Sequence, residues 1–277
     1  METTAGGPIR RSTADEALAA ELAEFAIELA EGAGQLARAG ARAGFDVCTK
    51  SSATDVVTEV DRNVERWLVE QILNRRPADG ILGEEGAERA STSSVRWVLD
   101  PIDGTVNFTL GLPQYAVSVA VELNGVVVAG CVYNPESGES FRARVGHGAF
   151  LGDVRLFGPR DVDLARAVVG TGFGYDAGHR AAQAQVVARL LGQIGDIRRL
   201  GAASLDLCAV AAGRLDGYYE VGLNPWDYAA GLLIVTEAGC QASGLRGRGP
   251  GEAMVAVAGR ELAPALFRAL SELNADL

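Results

Sequence analysis

Hydrophobic residues recur every three to four positions in several parts of the chain, which is the spacing of amphipathic helices. The first such stretch predicts a helix over about residues 13–38, closed by Gly40 and Gly44. The second predicts a helix that begins near Thr58 and ends before Pro77. Apolar and alanine-rich stretches predict further helices over about 180–192, 202–213, 226–238 and 261–273.

Shorter runs, in which apolar residues alternate or follow one another directly, are typical of β-strands. Asn124-Gly125 separates two of these runs and indicates a hairpin. Strands and helices are each clustered, so the pattern favours layered α and β structure over a simple βαβ repeat. The predicted strands lie at about 81–82, 95–99, 115–123, 126–133, 139–144, 168–174, 217–221 and 253–258.

The length of 277 residues fits one large domain or two closely packed subdomains. We predict a disordered segment over 1–12, followed by a single catalytic domain over 13–277 with subdomains of about 13–160 and 161–277. The stretch 243–251 is rich in glycine and predicts an exposed loop.

Charge and rare residue types exclude several classes of protein. The net charge of −11 argues against a general binder of nucleic acid or anionic membranes. Only two histidines, His147 and His179, are present, so a zinc site built on several histidines is nearly excluded. The four cysteines are far apart, which favours a reducing cytoplasm over a disulfide framework. No apolar run is long enough to predict a membrane span.

A short acidic turn, Asp100-Pro101-Ile102-Asp103-Gly104-Thr105, follows the strand predicted at 95–99. Proline fixes φ and turns the chain, and Thr105 can begin a helix whose free N–H groups suit a phosphate. Two carboxylates so close together repel each other unless a cation lies between them, and oxygen-only ligands suit Mg²⁺. An isolated motif of this kind is more often a plain aspartate-rich turn.

Three further acidic spots stand at a strand end or a helix start: Glu84-Glu85, Asp61 and Asp227. Each has an ordinary structural interpretation. Glu84-Glu85 can be a solvated pair in a loop, Asp61 can form a capping box with Thr58, and Asp227 can be an acidic residue in the first turn of a helix. Their joint occurrence with the acidic turn is what favours a metal-dependent active site.

Together these fragments resemble the inositol monophosphatase family over about residues 15–270. The resemblance implies an α+β fold of the sugar-phosphatase type with αβαβα layers. It also implies a homodimer and Mg²⁺-dependent, lithium-sensitive phosphatase activity. The matching segments are Gly83-Glu84-Glu85, Trp97–Phe108, Trp226–Gly231 with Glu237-Ala238-Gly239, Lys50-Ser51-Ser52, Asp55–Asp61, Gly201–Cys208 and Gly213–Glu220.

The same resemblance implies two or three magnesium ions and their ligands. Glu84, Asp100 and the backbone carbonyl of Ile102 would hold the first ion. Asp100, Asp103 and Asp227 would hold the second, and Glu84 would help to place a third through water. Glu84 would thus take part in catalysis, and Asp103 and Asp227 would also face the substrate.

The remaining site residues would act on water and substrate. Asp61 and Thr105 would orient and deprotonate the attacking water, and the amides of Gly104 and Thr105 would bind the phosphate. Glu220 and the backbone of Ala203 would contact substrate hydroxyls. Because phosphoryl transfer needs positioning and charge neutralisation more than covalent chemistry, we expect in-line attack by water with no phosphoenzyme.

The preferred substrate is a small phosphorylated polyol, myo-inositol 1-phosphate, because the carboxylate of Glu220 can accept hydrogen bonds from ring hydroxyls. Ala202 and Val106 replace hydroxyl residues that are common in the family, which leaves other substrates open. These are histidinol phosphate, fructose 1,6-bisphosphate and 3′-phosphoadenosine phosphate; for a bisphosphate, Arg198-Arg199 could supply charge, unless the pair only flanks a strand or a dimer contact. An alternative from another class is a regulatory, protein-binding role in transcription.

Overall fold

The computed structural model describes residues 13–49 and 56–276. The predicted disorder of 1–12 and the motif residues 50–55 lie outside them. The helices of the described part are α1 (Thr13–Ala43), α2 (Glu59–Arg75), α3 (Thr105–Thr109), α4 (Ala177–Leu190), α5 (Ala203–Ala211), α6 (Pro225–Glu237) and α7 (Ala263–Glu272), with a 3₁₀ turn at Leu164–Arg166. The strands are β1 (Val47–Thr49), β2 (Val56–Thr58), β3 (Gly80–Gly83), β4 (Glu88–Arg89), β5 (Val95–Asp103), β6 (Ala116–Leu123), β7 (Val126–Asn134), β8 (Glu139–Arg144), β9 (Gly148–Leu151), β10 (Val154–Leu156), β11 (Val168–Thr171), β12 (Asp196–Arg198), β13 (Gly217–Glu220), β14 (Gln241–Ser243) and β15 (Val255–Ala258).

Two sheets carry the fold. The larger has eight strands in the order β10-β9-β8-β7-β6-β5-β3-β4, antiparallel throughout except for the parallel pair β3 and β5. The smaller has five strands in the order β12-β11-β13-β15-β14, with β11 parallel to both of its neighbours. β1 and β2 form a separate antiparallel pair.

Helices cover both sheets and fill the space between them. α1 and α2 pack on one face of the large sheet, α5 and α6 lie between the two sheets, and α4 and α7 cover the outer face of the small sheet. This order of layers confirms the predicted αβαβα architecture. The two sheets draw on residues 80–156 and 168–258, and the division into subdomains near residue 160 stays a prediction.

Several boundaries differ from the predicted ones. α1 passes through Gly40, which was expected to end it, and stops before Gly44, whose φ is +83°. A Cβ at Gly40 would lie 2.7 Å from a methyl group of Val60, so this glycine permits close packing of α1 on α2. In the loop after β14, residues 246–249 are exposed as predicted, but Gly244 and Leu245 are buried.

No strand was predicted at β9 or β10. These strands have only four and three residues, which is too short for a periodic hydrophobic pattern to reveal them. Among the described residues, no helix combines the length and apolar character needed to cross a bilayer.

Candidate active site

The acidic turn expected after residues 95–99 is in fact the end of β5. Asp100 pairs with Ser118 of β6 and Asp103 pairs with Ala116. Between these two pairs β5 advances by three residues and β6 by two, so β5 carries one extra residue, a β-bulge.

The bulge decides which way the two aspartates point. Val98 belongs to the core between the sheets, whereas Leu99 and Ile102 belong to the core under α1 and α2. Side chains of a regular strand alternate between faces, so Asp100 and Asp103 would point to opposite sides. The extra residue restores both carboxylates to the same face, toward α5 and α6.

The first turn of α5 binds the carboxylate of Asp103. The backbone N of Ser204 donates to Oδ2 at 2.7 Å, its hydroxyl donates to the same oxygen, and the backbone N of Ala203 donates to Oδ1 at 3.2 Å. Burial raises the pKa of Asp103, and these donors lower it. Ala203 was predicted to lie in the site, but Ser204 was not, although it stands near the start of a predicted helix and within the matching segment 201–208.

Gly104 and Thr105 form the start of α3, as the sequence predicted. Gly104 caps the helix with a φ of +90°, a conformation that glycine adopts without strain. A Cβ there would lie 3.0 Å from the carbonyl oxygen of Gln114 and 3.1 Å from the Cβ of Ala202. A side chain at this position would therefore press on its neighbours and require them to shift.

Asp61 is hydrogen-bonded both to the start of its own helix and to Thr105. It forms a capping box with Thr58 at the start of α2, and the hydroxyl of Thr105 also points to Asp61 Oδ1 at 3.4 Å. The same hydroxyl donates to the carbonyl oxygen of Ile102 at 3.0 Å. Burial raises the pKa of Asp61 against the lowering effect of its hydrogen bonds from Thr58. The structure thus brings Asp61, Ile102 and Thr105 together.

Asp100 lies at the centre of the acidic group. Its Oδ1 accepts from the backbone N of Ile102 at 3.0 Å. Burial raises its pKa well above the usual value, and the nearby carboxylates of Glu84, Asp103 and Asp227 raise it further. These four carboxylates are therefore close enough to repel one another.

Asp227 stands in the first turn of α6, where its Oδ2 accepts from the backbone N of Asn224 at 2.6 Å. Burial, followed by the charge of Asp103, raises its pKa well above the usual value. Within residues 13–49 and 56–276, no three His, Cys, Asp or Glu side chains already converge on one point as ligands of an ion. The group is a set of neighbouring buried and partly buried carboxylates, not a closed coordination shell.

A cavity of about 630 Å³ opens beside these carboxylates. Three predicted residues, Asp61, Asp100 and Ile102, do not line it. The other seven predicted site residues line the cavity together: Glu84, Asp103, Gly104, Thr105, Ala203, Glu220 and Asp227.

The opposite wall is built around Glu220. Tyr218 donates its hydroxyl to Glu220 Oε2, and a Cβ at Gly172 would overlap that carboxylate. Burial raises the pKa of Glu220 to about 7, although the Tyr218 hydroxyl and the charge of Arg199 lower it. Arg199 lines the cavity, and so does His179 of α4, which the sequence analysis did not connect with the site.

Comparison with known proteins agrees with the resemblance seen in the sequence. The sequence pattern of the inositol monophosphatase family matches residues 18–275. The chain is 46% identical over 246 residues to inositol-1-monophosphatase of Mycobacterium leprae, covering 85% of this chain and 84% of that protein. It is 42% identical over 218 residues to Nus factor SuhB of Pasteurella multocida, covering 78% and 82%.

Solved structures share the fold. The extragenic suppressor protein suhB from Bartonella henselae superposes with a TM-score of 0.85 at 34% identity, covering 91% of this chain and 99% of that one. Its similarity therefore extends over nearly the whole of both chains.

Proposed function

This chain belongs to the inositol monophosphatase family and is a phosphatase, and we propose that it hydrolyses myo-inositol 1-phosphate to inositol and phosphate with Mg²⁺. The observation that carries the proposal is a group of four neighbouring carboxylates beside one cavity: Asp100 and Asp103 are buried, and Glu84 and Asp227 are partly buried. Such a group is costly to bury in its charged form unless cations neutralise it.

The donor set fits hard divalent cations. The carboxylates and the carbonyl of Ile102 offer only oxygen, which Mg²⁺ prefers. We assign Glu84, Asp100 and Ile102 to a first ion and Asp100, Asp103 and Asp227 to a second, with a third near Glu84. The hydrogen bond from Ala203 to Asp103 Oδ1 is long, at 3.2 Å, and a carboxylate oxygen has a second lone pair that can bind an ion. When bound, the ions supply charge neutralisation and make water a better nucleophile.

The protein's own groups orient water and phosphate. Thr105 lines the cavity and its hydroxyl points to Asp61, and we assign these two residues to hold the attacking water and take its proton. A raised pKa makes Asp61 a stronger base than an exposed aspartate. The amides of Gly104 and Thr105 bind the phosphate, so that the water attacks in line with the leaving alcohol.

The alcohol part of the substrate contacts the opposite wall. Glu220, held by Tyr218, accepts hydrogen bonds from ring hydroxyls, and the backbone of Ala203 makes a further contact. Arg199 on the same wall would favour a substrate with a second anionic group, which keeps fructose 1,6-bisphosphate and 3′-phosphoadenosine phosphate as rivals. Histidinol phosphate is the third rival.

A second candidate function is regulation of transcription through protein contacts. The observation that favours it is the 42% identity to a protein called a Nus factor. Both functions are compatible with a cytoplasmic location and with a homodimer. Light scattering on the purified protein would test for the homodimer.

A phosphate-release assay with Mg²⁺, with and without Li⁺, tests the proposal on all four substrates. We expect release from inositol 1-phosphate, inhibition by Li⁺, and a loss of at least about 100-fold in Asp103→Asn and Asp227→Asn. Asp153→Asn, which changes a fully exposed aspartate, is the matched control. Absence of Mg²⁺-dependent release from every substrate contradicts the proposal. Stable capture of RNA polymerase factors, with turnover unaffected by Asp103→Asn, would favour the regulatory function.

A further inference from the structure

A buried glutamate on α2 accepts hydrogen bonds from the turn that carries Glu84. Glu65 is only 5% exposed. Its Oε2 accepts from the backbone N of Glu85 at 2.8 Å, and its Oε1 accepts from the backbone N of Ala87 at 2.9 Å. Both oxygens of one side chain are thus bonded to a single turn, residues 83–87, between β3 and β4.

The turn is shaped to receive this carboxylate. Its two ends are joined by a hydrogen bond of 2.7 Å from the N of Gly83 to the carbonyl oxygen of Ala87. A Cβ at Gly83 would overlap the carboxylate of Glu65. The missing side chain at Gly83 therefore gives Glu65 access to the amides of the turn. Glu84 itself is tied to β5, through its N and the carbonyl oxygen of Leu99 at 3.2 Å.

The same helix supplies Asp61. Residues four apart on a helix lie on the same side, so Asp61 and Glu65 project from adjacent turns of α2, and both are buried. The charge of Glu85 contributes to the raised pKa of Asp61, which places the turn beside that aspartate. α2 thus contacts two parts of the site: Asp61 contacts Thr105, and Glu65 contacts the turn that carries Glu84.

We propose that Glu65 is a positioning residue, which fixes the 83–87 turn against α2 and so sets where Glu84 stands relative to Asp61. Two charge-assisted hydrogen bonds hold the turn more firmly than neutral ones would. The inference rests on the proposed function only for the role of Glu84 as a metal ligand. Glu65 does not itself touch metal or substrate in this scheme.

The variant Glu65→Gln tests this role with little change of shape. An amide side chain has one acceptor oxygen, so its NH₂ group faces one of the two backbone donors and that hydrogen bond is lost. Glu70→Gln, at an exposed position of the same helix, is the control. Hydrogen exchange of the Glu85 and Ala87 amides is measured without metal, and Mg²⁺ binding is measured by calorimetry and by the Mg²⁺ dependence of turnover.

We expect faster exchange at Glu85 and Ala87 in Glu65→Gln, and a Mg²⁺ affinity weaker by about 10- to 100-fold, the range found when groups that orient metal ligands are lost. The KM for substrate at saturating Mg²⁺ stays near that of the wild type. Unchanged exchange overturns the proposal, and so does faster exchange with unchanged Mg²⁺ affinity, which would make Glu65 merely structural. If Glu65→Gln fails to fold, Glu65→Asp undergoes the same measurements and decides by the same criteria.

The two proposals fail separately. A wild-type protein without Mg²⁺-dependent turnover contradicts the proposed function. The exchange rates of Glu85 and Ala87, measured without metal or substrate, still show whether Glu65 holds the turn.

Discussion

Ser204 and Asp103 are 101 residues apart in the chain, yet the amide and the hydroxyl of Ser204 both donate to Asp103 Oδ2. The bond joins the bulged end of β5 to the first turn of α5. Because α5 lies between the two sheets, this contact fixes a carboxylate of the large sheet from the side of the small one.

Ser204→Ala removes the hydroxyl donor and keeps the amide. A hydrogen bond to a charged group contributes about 1.5–3 kcal/mol, so we expect a loss of that order in the free energy of unfolding. We also expect a several-fold higher Mg²⁺ requirement, because Asp103 is less firmly oriented. Urea unfolding and the Mg²⁺ dependence of turnover measure the two effects.

The control for Ser204 is Ser271→Ala in α7, where the hydroxyl donates to the carbonyl oxygen of Phe267 at 2.8 Å, within the same helix. This variant should leave the Mg²⁺ requirement unchanged. Equal Mg²⁺ requirements in both variants would show that the Ser204 hydroxyl does not orient Asp103.

Gly104→Ala tests the narrow turn before α3. The left-handed φ of +90° alone costs about 1 kcal/mol with a side chain, and the new Cβ would also press on Gln114 and Ala202. Gly111→Ala is a matched control, since Gly111 has a φ of +70° and a Cβ there meets nothing within 4 Å. We expect thermal unfolding to show a larger loss of stability for Gly104→Ala, with turnover lost in that variant alone. Equal losses in the two variants would mean that the close approach has no effect.

The sequence predicted the main helices and strands because the periodic hydrophobic pattern is local, whereas the αβαβα order of the layers was implied by the family resemblance. The sequence also named Asp100 and Asp103, but it placed them after a strand instead of within one. A bulge cannot be inferred from β5 alone, because it is defined by the residues of β6 that lie opposite. Alternation along the strand would have assigned Asp103 to the wrong face.

The contacts of Ser204 and Glu65 escaped the sequence analysis for a related reason. Glu65 reaches amides 20 and 22 residues away, and Ser204 reaches a carboxylate 101 residues away. Neither partner is visible in a local pattern. Gly40 shows the opposite error, since a residue that commonly ends helices serves here to let two helices approach.

The stability of the metal-free protein should depend on pH through Glu220. Its pKa of about 7 lies above the ordinary 4.5, mainly because of burial and also because of the charge of Asp103. The folded protein therefore holds a proton that the unfolded chain releases. This contribution, on the order of 3 kcal/mol, is fully present below the unfolded pKa and is lost as the pH rises through about 7.

Glu220→Gln removes that proton and its pH dependence. Thermal unfolding in the presence of a chelator, from about pH 5 to pH 8, should therefore show a shallower fall of Tm in the variant than in the wild type. The pKa of the buried Asp206 is raised by burial and then by the charge of Glu220, so Asp206 adds a slope that the variant reduces as well. Parallel profiles would contradict a protonated Glu220.

The hydroxyl of Thr105 should act on the chemical step and not on substrate binding. Thr105→Val keeps the size of the side chain and removes the group that points to Asp61 and Ile102. If the pair handles the proton of the attacking water, kcat falls by about 10²- to 10⁴-fold while KM changes little. Thr105→Ser restores the hydroxyl and should recover most of the rate. Thr109→Val is the control in the same helix, since that hydroxyl only donates to the carbonyl oxygen of Val106 at 2.8 Å. An equal kcat in Thr105→Val and the wild type would remove Thr105 from the mechanism, because no other group in the variant takes the place of its hydroxyl.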